Sequence, residues 1–239
     1  MILRRLRLPV LLVVATGLLG VAARSATVTG LDLNADMTVE ALRTPALTRV
    51  ADILDVAFGP VAGVVVIALL AAALTLMGRV RSAVLVALVV TAGWTTSAVF
   101  KQIIARPRPP VAGRLLFEAG HDSFPSGHVA LTLSLAVAAA FLAARTRWFA
   151  PVVCAGGVLV VAQAFARMYL GVHYPTDVIG SMLAGTAGTS AVIALRGRIS
   201  AALERLPGLG GREVPRDRVA MSRRAHRPGH SSRKGSSST

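Results

Sequence analysis

Residues 166–180 read ARMYLGVHYPTDVIG and separate two long apolar segments of the chain. The stretch carries Arg167, His173 and Asp177, three ionisable side chains beside runs that are otherwise apolar. An ionisable group at the centre of a bilayer costs roughly 2.5–3.5 kcal/mol, so such residues need a partner or a function. Together they offer a nucleophile or base, an orienting carboxylate and an anion-binding cation, although an interfacial ion pair with a satisfied histidine is the structural alternative.

The composition predicts an all-α integral membrane protein. Of its 239 residues, 54% are hydrophobic and 15% are charged, and the mean hydropathy is +0.65. A soluble domain carries about 25% charged residues. The apolar residues form blocks long enough to cross a bilayer as helices. We predict a six-helix bundle with spans at residues 8–23, 56–77, 83–100, 126–144, 148–166 and 177–195.

The chain divides into three predicted regions. Residues 1–55 form a first span, or a signal peptide over 1–23, followed by an extracytoplasmic segment. That segment is either an interfacial helix broken at Pro45 or an ordinary capped loop. Residues 56–195 form the transmembrane core, and 196–239 form a basic tail.

The distribution of charge predicts the topology. With both termini inside, the outer side holds eight basic and eight acidic residues, whereas the inner side holds 18 basic and three acidic residues. The surplus of +15 therefore lies entirely on the cytoplasmic side, as the positive-inside rule requires. We expect a multi-pass protein of the cell membrane whose polar stretches lie on the extracytoplasmic face.

The tail is predicted to be disordered because it is rich in arginine, glycine, serine and proline. Its expected partners are anionic lipid headgroups. Nucleic acid is not an expected partner, because no aromatic residues alternate with the arginines. The single cysteine, Cys154, permits no intramolecular disulfide and matches no metal-ligand spacing.

Two further stretches complement the first. Lys101 and Arg108 are seven residues apart and can share a helical face, with Arg106 as a competing cation; alone they could be membrane-edge anchors. Ser126, Gly127 and His128 follow Pro125 at a predicted helix start, where free amides bind anions, although an ordinary helix start gives the same pattern.

The three stretches together resemble the signature of the type 2 phosphatidic acid phosphatase superfamily. That family includes lipid phosphate phosphatases, bacterial polyprenyl diphosphate phosphatases and vanadium haloperoxidases. Its pattern is matched in order by Lys101-x6-Arg108-Pro109, Pro125-Ser126-Gly127-His128 and Arg167-x5-His173-x3-Asp177. The chain departs from the pattern at Ala166, where the family usually has serine.

The resemblance implies hydrolysis of a lipid phosphate or diphosphate through a phosphohistidine. His173 is the expected nucleophile, Asp177 its orienting partner and His128 the general acid. The expected phosphate-binding residues are Lys101, Arg108, Ser126, Gly127 and Arg167. Because three cations already supply positive charge, neither a metal nor a cofactor is expected.

Several substrates and two other functions stay open from the sequence. The candidate substrates are polyprenyl diphosphate, phosphatidic acid and phosphatidylglycerol phosphate, and an outward-facing site favours a polyprenyl carrier. A phosphotransferase would pass the phosphoryl group to a lipid or alcohol acceptor. A non-enzymatic phospholipid binder or transporter would use the cations alone, but it would need neither histidine.

Overall fold

The computed structural model describes residues 2–118, 120 and 122–205, and its regular structure is helical. The prediction of an all-α protein is therefore confirmed over these residues. The described part of the chain forms eight α-helices and one 3-10 turn, Val111–Gly113. The helices are α1 Ile2–Ala23, α2 Ala26–Glu40, α3 Pro45–Ala57, α4 Pro60–Leu76, α5 Val80–Ile104, α6 Gly127–Ala143, α7 Phe149–Tyr169 and α8 Pro175–Glu204.

Four helices are long and apolar enough to cross a membrane, namely α1, α5, α7 and α8. A fifth span is possible if α3 and α4 are counted together, and α6 is a shorter apolar helix of 17 residues. Apolar side chains such as Leu18 in α1 and Val61 in α4 are 68% and 79% exposed, as expected for surfaces facing lipid. These features indicate a multi-pass membrane protein, while the number of six spans stays a prediction.

The predicted span over residues 56–77 does not begin as one continuous helix. α3 ends at Ala57, α4 begins at Pro60, and the two axes are bent by 54°. Gly59 is extended, and Pro60 has no N–H with which to continue the α3 hydrogen-bond ladder. The break predicted at Pro45 is confirmed, because Pro45 opens α3 directly after the Thr44 cap.

The last helix is longer than predicted. α8 continues to Glu204, and Arg81 at the start of α5 lies 2.6 Å from the Glu204 carboxylate. The prediction that disorder begins at residue 196 is therefore wrong, because α8 extends along the bundle and its end pairs with a neighbouring helix. The remainder of the predicted tail, residues 206–239, lies outside the described residues.

The core of the bundle lies between α5, α8 and the helices that flank them. α5 packs most extensively against α8, and α1 and α6 also contact α8. Gly188 of α8 lies directly against the backbone of Ala92 in α5, where an added Cβ would overlap the Ala92 carbonyl. Small residues at this crossing let the two helices approach closely, as in other membrane bundles.

The four core helices that carry the polar stretches present them at the same end of the bundle. α5 ends beside Lys101, α6 begins at Gly127, and α7 ends beside Arg167. α8 begins two residues before Asp177. Since neighbouring helices run antiparallel, the three stretches converge there.

Candidate active site

The connection between α7 and α8 directs the His173 side chain towards the interior of the protein. Gly171 adopts a φ of 71°, in the left-handed region that glycine tolerates best. Four residues later α8 begins at Pro175, and the Asp177 carboxylate accepts a hydrogen bond from the Tyr174 amide at 2.9 Å. This cap fixes the first turn of α8, and the His173 side chain is 0% exposed.

A closed ionic cluster lies on the Nδ1 side of His173. Asp177 Oδ2 is 3.5 Å from Nδ1, and Asp177 Oδ1 accepts a hydrogen bond from Arg106 at 2.8 Å. Arg106 also pairs with Asp32 of α2 at 2.7 Å, and its guanidinium lies 4.0 Å from the centre of the Tyr174 ring. Arg106, which the sequence offered as an alternative to Arg108 among the anion-binding cations, thus lies beside Asp177.

A second set of charges lies on the Nε2 side. Arg108 Nη1 is 3.3 Å from His173 Nε2 and donates to the Val172 carbonyl at 2.9 Å. The same nitrogen donates to Glu118 Oε2 at 2.9 Å, and that oxygen is 3.9 Å from Nε2. A carboxylate therefore lies next to the ring nitrogen that faces the anion-binding side chains.

Arg167 connects this carboxylate to the second histidine. Its two terminal nitrogens donate to Asp55 Oδ1 and Glu118 Oε2, and its side chain is fully buried. His128 Nε2 lies 3.3 Å from Asp55 Oδ1, and His128 Nδ1 lies 4.0 Å from Glu118 Oε1. Both histidines therefore approach the same Glu118 carboxylate.

A cavity of about 360 Å³ opens beside these groups. Its lining includes Lys101, Arg108, Glu118, Gly127 and His128, together with apolar side chains from α5 and α6. The volume falls within the roughly 300–1,000 Å³ range of ligand pockets. The Lys101 ammonium donates to the Asp122 carbonyl at 3.0 Å, which holds the lysine at the cavity wall.

Ser126 and Gly127 begin α6 next to the His173 turn. Ser126 is the N-cap residue, and its backbone amide contacts the Asp177 carbonyl at 3.4 Å. Its buried hydroxyl makes no hydrogen bond to any described residue, so the serine does not cap the helix through its side chain. A free hydroxyl at a helix N-terminus is suited to an anion.

The surrounding charges favour a neutral nucleophile. Burial, together with the cations Arg167, Lys101 and Arg108, holds the pKa of His173 well below its usual value of 6.5. Burial and the neighbouring Arg167 also lower the pKa of Arg108, although Glu118 opposes this shift. An unprotonated imidazole at neutral pH can attack an electrophile.

All eight site residues predicted from the sequence lie in or directly beside this site. Sequence reasoning missed three acidic residues that complete it, namely Asp32, Asp55 and Glu118. Their signal is weak: the segment of Asp32 and Asp55 contains arginines of its own, whereas the partners of these two residues are Arg106 and Arg167. Each belongs to a part of the chain that carries no motif.

Within the described residues, His, Cys, Asp and Glu side chains form no group of three or more suited to a metal ion. The roles assigned to the site residues, and the expectation that no metal is needed, stay predictions that require activity measurements.

A model of the PAP2 superfamily matches residues 79–200, about half of the chain. The protein belongs to this superfamily. The matched region contains every residue of the predicted site, from Lys101 to Asp177, but it excludes Asp32 and Asp55.

Two bacterial relatives and one solved structure are similar to the chain. "Putative undecaprenyl-diphosphatase YbjG" of Escherichia coli K12 is 34% identical over 133 residues, which cover 52% of this chain and 64% of the relative. "Undecaprenyl-diphosphatase BcrC" of Bacillus subtilis 168 is 33% identical over 95 residues, or 38% of this chain and 46% of the relative. The chain thus aligns with less than two thirds of either relative.

The solved structure is a transmembrane PAP2 type phosphatidylglycerolphosphate phosphatase from Bacillus subtilis. It is 26% identical with a TM-score of 0.69, and the match covers 83% of this chain and 98% of that one. The match therefore extends well beyond residues 79–200.

Proposed function

We propose that this protein is a membrane phosphatase that hydrolyses a lipid phosphate or diphosphate through a phosphohistidine at His173. The observation that carries the proposal is the Glu118 carboxylate, which is held by Arg108 and Arg167 and approached by both histidines. Arginines that bind one oxyanion in this way can bind phosphoryl oxygens instead. A bound phosphoryl group would then lie between a nucleophile and a general acid.

In the first step, His173 Nε2 attacks phosphorus while the bond to the leaving oxygen breaks. His128 donates a proton to that oxygen, a contribution of about 10²–10⁴-fold in general acid catalysis. Asp55 Oδ1 lies 3.3 Å from His128 Nε2, within reach of a ring N–H on that nitrogen. Asp177 supports the positive charge that develops on His173 from the Nδ1 side.

In the second step, water attacks the phosphohistidine. His128, now neutral, takes a proton from the water as the N–P bond breaks, and inorganic phosphate leaves. Lys101, Arg108 and Arg167 stabilise the phosphoryl oxygens in both steps, with the Ser126 hydroxyl and the Gly127 amide as further donors. Apart from water, each step uses only groups that the chain itself supplies.

For the substrate we favour a polyprenyl diphosphate. Of the relatives named above, BcrC is an undecaprenyl-diphosphatase and YbjG is named as a "putative" one, and the similar solved structure is a phosphatidylglycerolphosphate phosphatase. All these substrates combine a phosphate with a lipid tail. The apolar wall of the cavity, which includes Phe58, Trp94 and Leu131, supports a lipid close to the phosphate site.

We further propose that the site faces away from the cytoplasm and that both termini are cytoplasmic. The basic turns with Arg79, Arg81, Arg145 and Arg147 lie at the opposite end from the site, which supports this orientation. In a Cys154→Ala background, Phe117→Cys should react with an impermeant maleimide in intact cells, whereas Thr146→Cys should react only after permeabilisation. The reverse pattern would contradict the proposed orientation.

The activity is tested by measuring phosphate release from undecaprenyl diphosphate, phosphatidic acid and phosphatidylglycerol phosphate in detergent with a chelator present. We expect release by the wild-type protein, fastest from the polyprenyl substrate, and none by His173→Ala at an unchanged melting temperature. Equal release by His173→Ala would contradict the mechanism. Loss of wild-type activity on adding chelator would contradict metal independence.

A further inference from the structure

Helix α2 lies outside the part of the chain that the family model matches, yet it contributes to the surroundings of the proposed catalytic pair. Asp32 of α2 is 4% exposed. Its Oδ2 accepts hydrogen bonds from Arg106 at 2.7 Å and from the Thr176 hydroxyl at 2.5 Å, and its Oδ1 accepts one from the Thr176 amide at 3.3 Å. Both residues that donate to Asp32 are neighbours of Asp177: Arg106 donates to its carboxylate, and Thr176 precedes it in the chain.

Arg106 is the bridge between the two carboxylates. One terminal nitrogen pairs with Asp32, and the other donates to Asp177 Oδ1 and to the Thr176 hydroxyl, both at 2.8 Å. The guanidinium is 2% exposed and stacks on the Tyr174 ring, and its contacts with the two carboxylates hold it between them. Its orientation therefore decides which Asp177 oxygen it occupies.

Which Asp177 oxygen Arg106 contacts determines which oxygen is available to His173. Because Arg106 occupies Asp177 Oδ1, Oδ2 is left to the Tyr174 amide, which donates to it at 2.9 Å, and to the histidine side, where it lies 3.5 Å from Nδ1. Asp32 also shares the positive charge of Arg106, which leaves the Asp177 carboxylate a stronger acceptor. Without Asp32, the arginine would be free to shift towards Asp177 and to draw on both of its oxygens.

We propose that Asp32 is a positioning residue for the reaction, acting through Arg106 to keep Asp177 aligned with His173. The inference rests on the proposed function, since it assumes that Asp177 orients the nucleophile. It makes α2 a working part of the catalytic site in this protein, rather than a peripheral membrane-surface helix.

The test uses Asp32→Asn, with Asp36→Asn as the matched control one turn further along α2. Asp36 is also buried, at 3% exposed, but its carboxylate oxygens have no hydrogen-bond partner among the described residues. Burial and the neighbouring Asp32 raise the pKa of Asp36 to about 8, so it is mostly protonated at pH 7 and asparagine changes little charge there. We expect wild-type kinetics for the control.

For Asp32→Asn we expect kcat to fall about 10- to 100-fold with KM nearly unchanged, the same range as for the outer hydrogen-bond partners of metal-ligating residues. The acid limb of the pH–rate profile should move to lower pH, because removing a negative charge lowers the pKa of His173 further. The charged groups facing His173 are Asp177 of α8, Arg167 of α7, His128 of α6, Lys101 of α5, and Arg108 and Glu118 of the α5–α6 connection. None of these is altered by the substitution.

A merely structural role would lower the melting temperature and leave the pH profile of the folded fraction unchanged, and that result would overturn the inference. Wild-type kcat in Asp32→Asn would overturn it as well. If this variant does not fold, Arg106→Lys keeps the positive charge but has a single nitrogen in place of the two that pair with Asp32 and Asp177, and wild-type kcat there would also overturn the inference. Failure of the proposed function is distinguishable, since His173→Ala would then match the wild type.

Discussion

The two sides of His173 both consist of arginines paired with carboxylates, but these ion pairs differ in their exposure to solvent. On the Nδ1 side, Arg106 is enclosed by Asp32 and Asp177, and all three side chains are at most 5% exposed. On the Nε2 side, the partner of Arg108 is Glu118, whose side chain is 21% exposed on a connection between helices. Two arginines only two residues apart thus have buried carboxylate partners in one case and a partly exposed carboxylate partner in the other.

This difference gives the two sides different roles: the closed side stabilises the structure, and the open side is suited to binding an anion. A buried ion pair needs both partners, because removing one leaves an uncompensated charge in a medium of low polarity. On the open side, Lys101, Arg108 and Arg167 outnumber the carboxylates of Asp55 and Glu118 by one charge. If Glu118 moves away, two positive charges are left without a partner, which matches the charge of a phosphate dianion.

The largest effect is expected from Arg106→Ala on the closed side. It leaves Asp32 and Asp177 buried without their shared cation, so we expect a loss of stability of about 3–5 kcal/mol. The measurement is the melting temperature in detergent, with Arg24→Ala, an exposed arginine before α2, as the control. Equal melting temperatures of the two variants would contradict the distinction between the two sides.

Arg108→Ala on the open side should impair catalysis more than folding. Losing one preorganised donor to the phosphoryl oxygens is expected to lower kcat about 10²–10³-fold. Removal of this cation also raises the pKa of His173, so the acid limb of the pH–rate profile should shift upward. Rates and melting curves would be compared with those of the exposed Arg147→Ala. If Arg108→Ala instead lowered the melting temperature strongly while the folded protein kept its specific activity, Arg108 would be a structural residue and the assignment of the open side would be wrong.

Glu118→Gln should strengthen substrate binding. The carboxylate competes with phosphate for Arg108 and Arg167, and the amide does so less strongly. We therefore expect KM to fall several-fold, up to about tenfold, with kcat little changed. Asp122→Asn in the same connection is the control, because its contact with Lys101 is made by the backbone carbonyl. A large loss of kcat would instead make Glu118 part of the chemistry.

The smallest effect on activity is expected at Asp36, next to the closed cluster, where the change is instead in the pH dependence of stability. Burial and Asp32 raise the pKa of Asp36 from 3.8 to about 8 in the folded protein. The folded state therefore binds a proton that the unfolded state releases as pH rises from about 4 to 8, and this group lowers stability over that range. Asp36→Asn should flatten the pH dependence of the melting temperature between pH 5 and 8, whereas the exposed Asp52→Asn should not. Identical slopes would show that Asp36 is not protonated.

Much of the site was predictable because its proposed catalytic and phosphate-binding residues belong to three short sequence motifs. Each of the three stretches sits at a helix end, and the alternation of spans brings these ends together. The α-helical class followed from the apolar blocks, since backbone groups in lipid must be paired within a helix. Local patterns could also predict the break at Pro45, because proline at the first helical position is a backbone property.

The missed features all depend on tertiary contacts. The partner of Asp32 is 74 residues away, at Arg106, and nothing in local spacing selects it over a nearer arginine. The bend at Gly59-Pro60 and the extension of α8 to Glu204 were missed because hydropathy marks where a span is apolar rather than where its helix starts or stops. The position of Glu118 also depends on the folded α5–α6 connection, which brings its carboxylate next to two arginines and two histidines.

The most direct test of the account is to trap the intermediate. Wild-type protein would be mixed with polyprenyl diphosphate carrying radiolabelled phosphorus, quenched in alkali within milliseconds to seconds, and mapped by peptide mass spectrometry. The account predicts one labelled site, a phosphohistidine at His173, whose formation and decay match the rate of phosphate release. Steady phosphate release without label at His173, or with label on another residue, would contradict it.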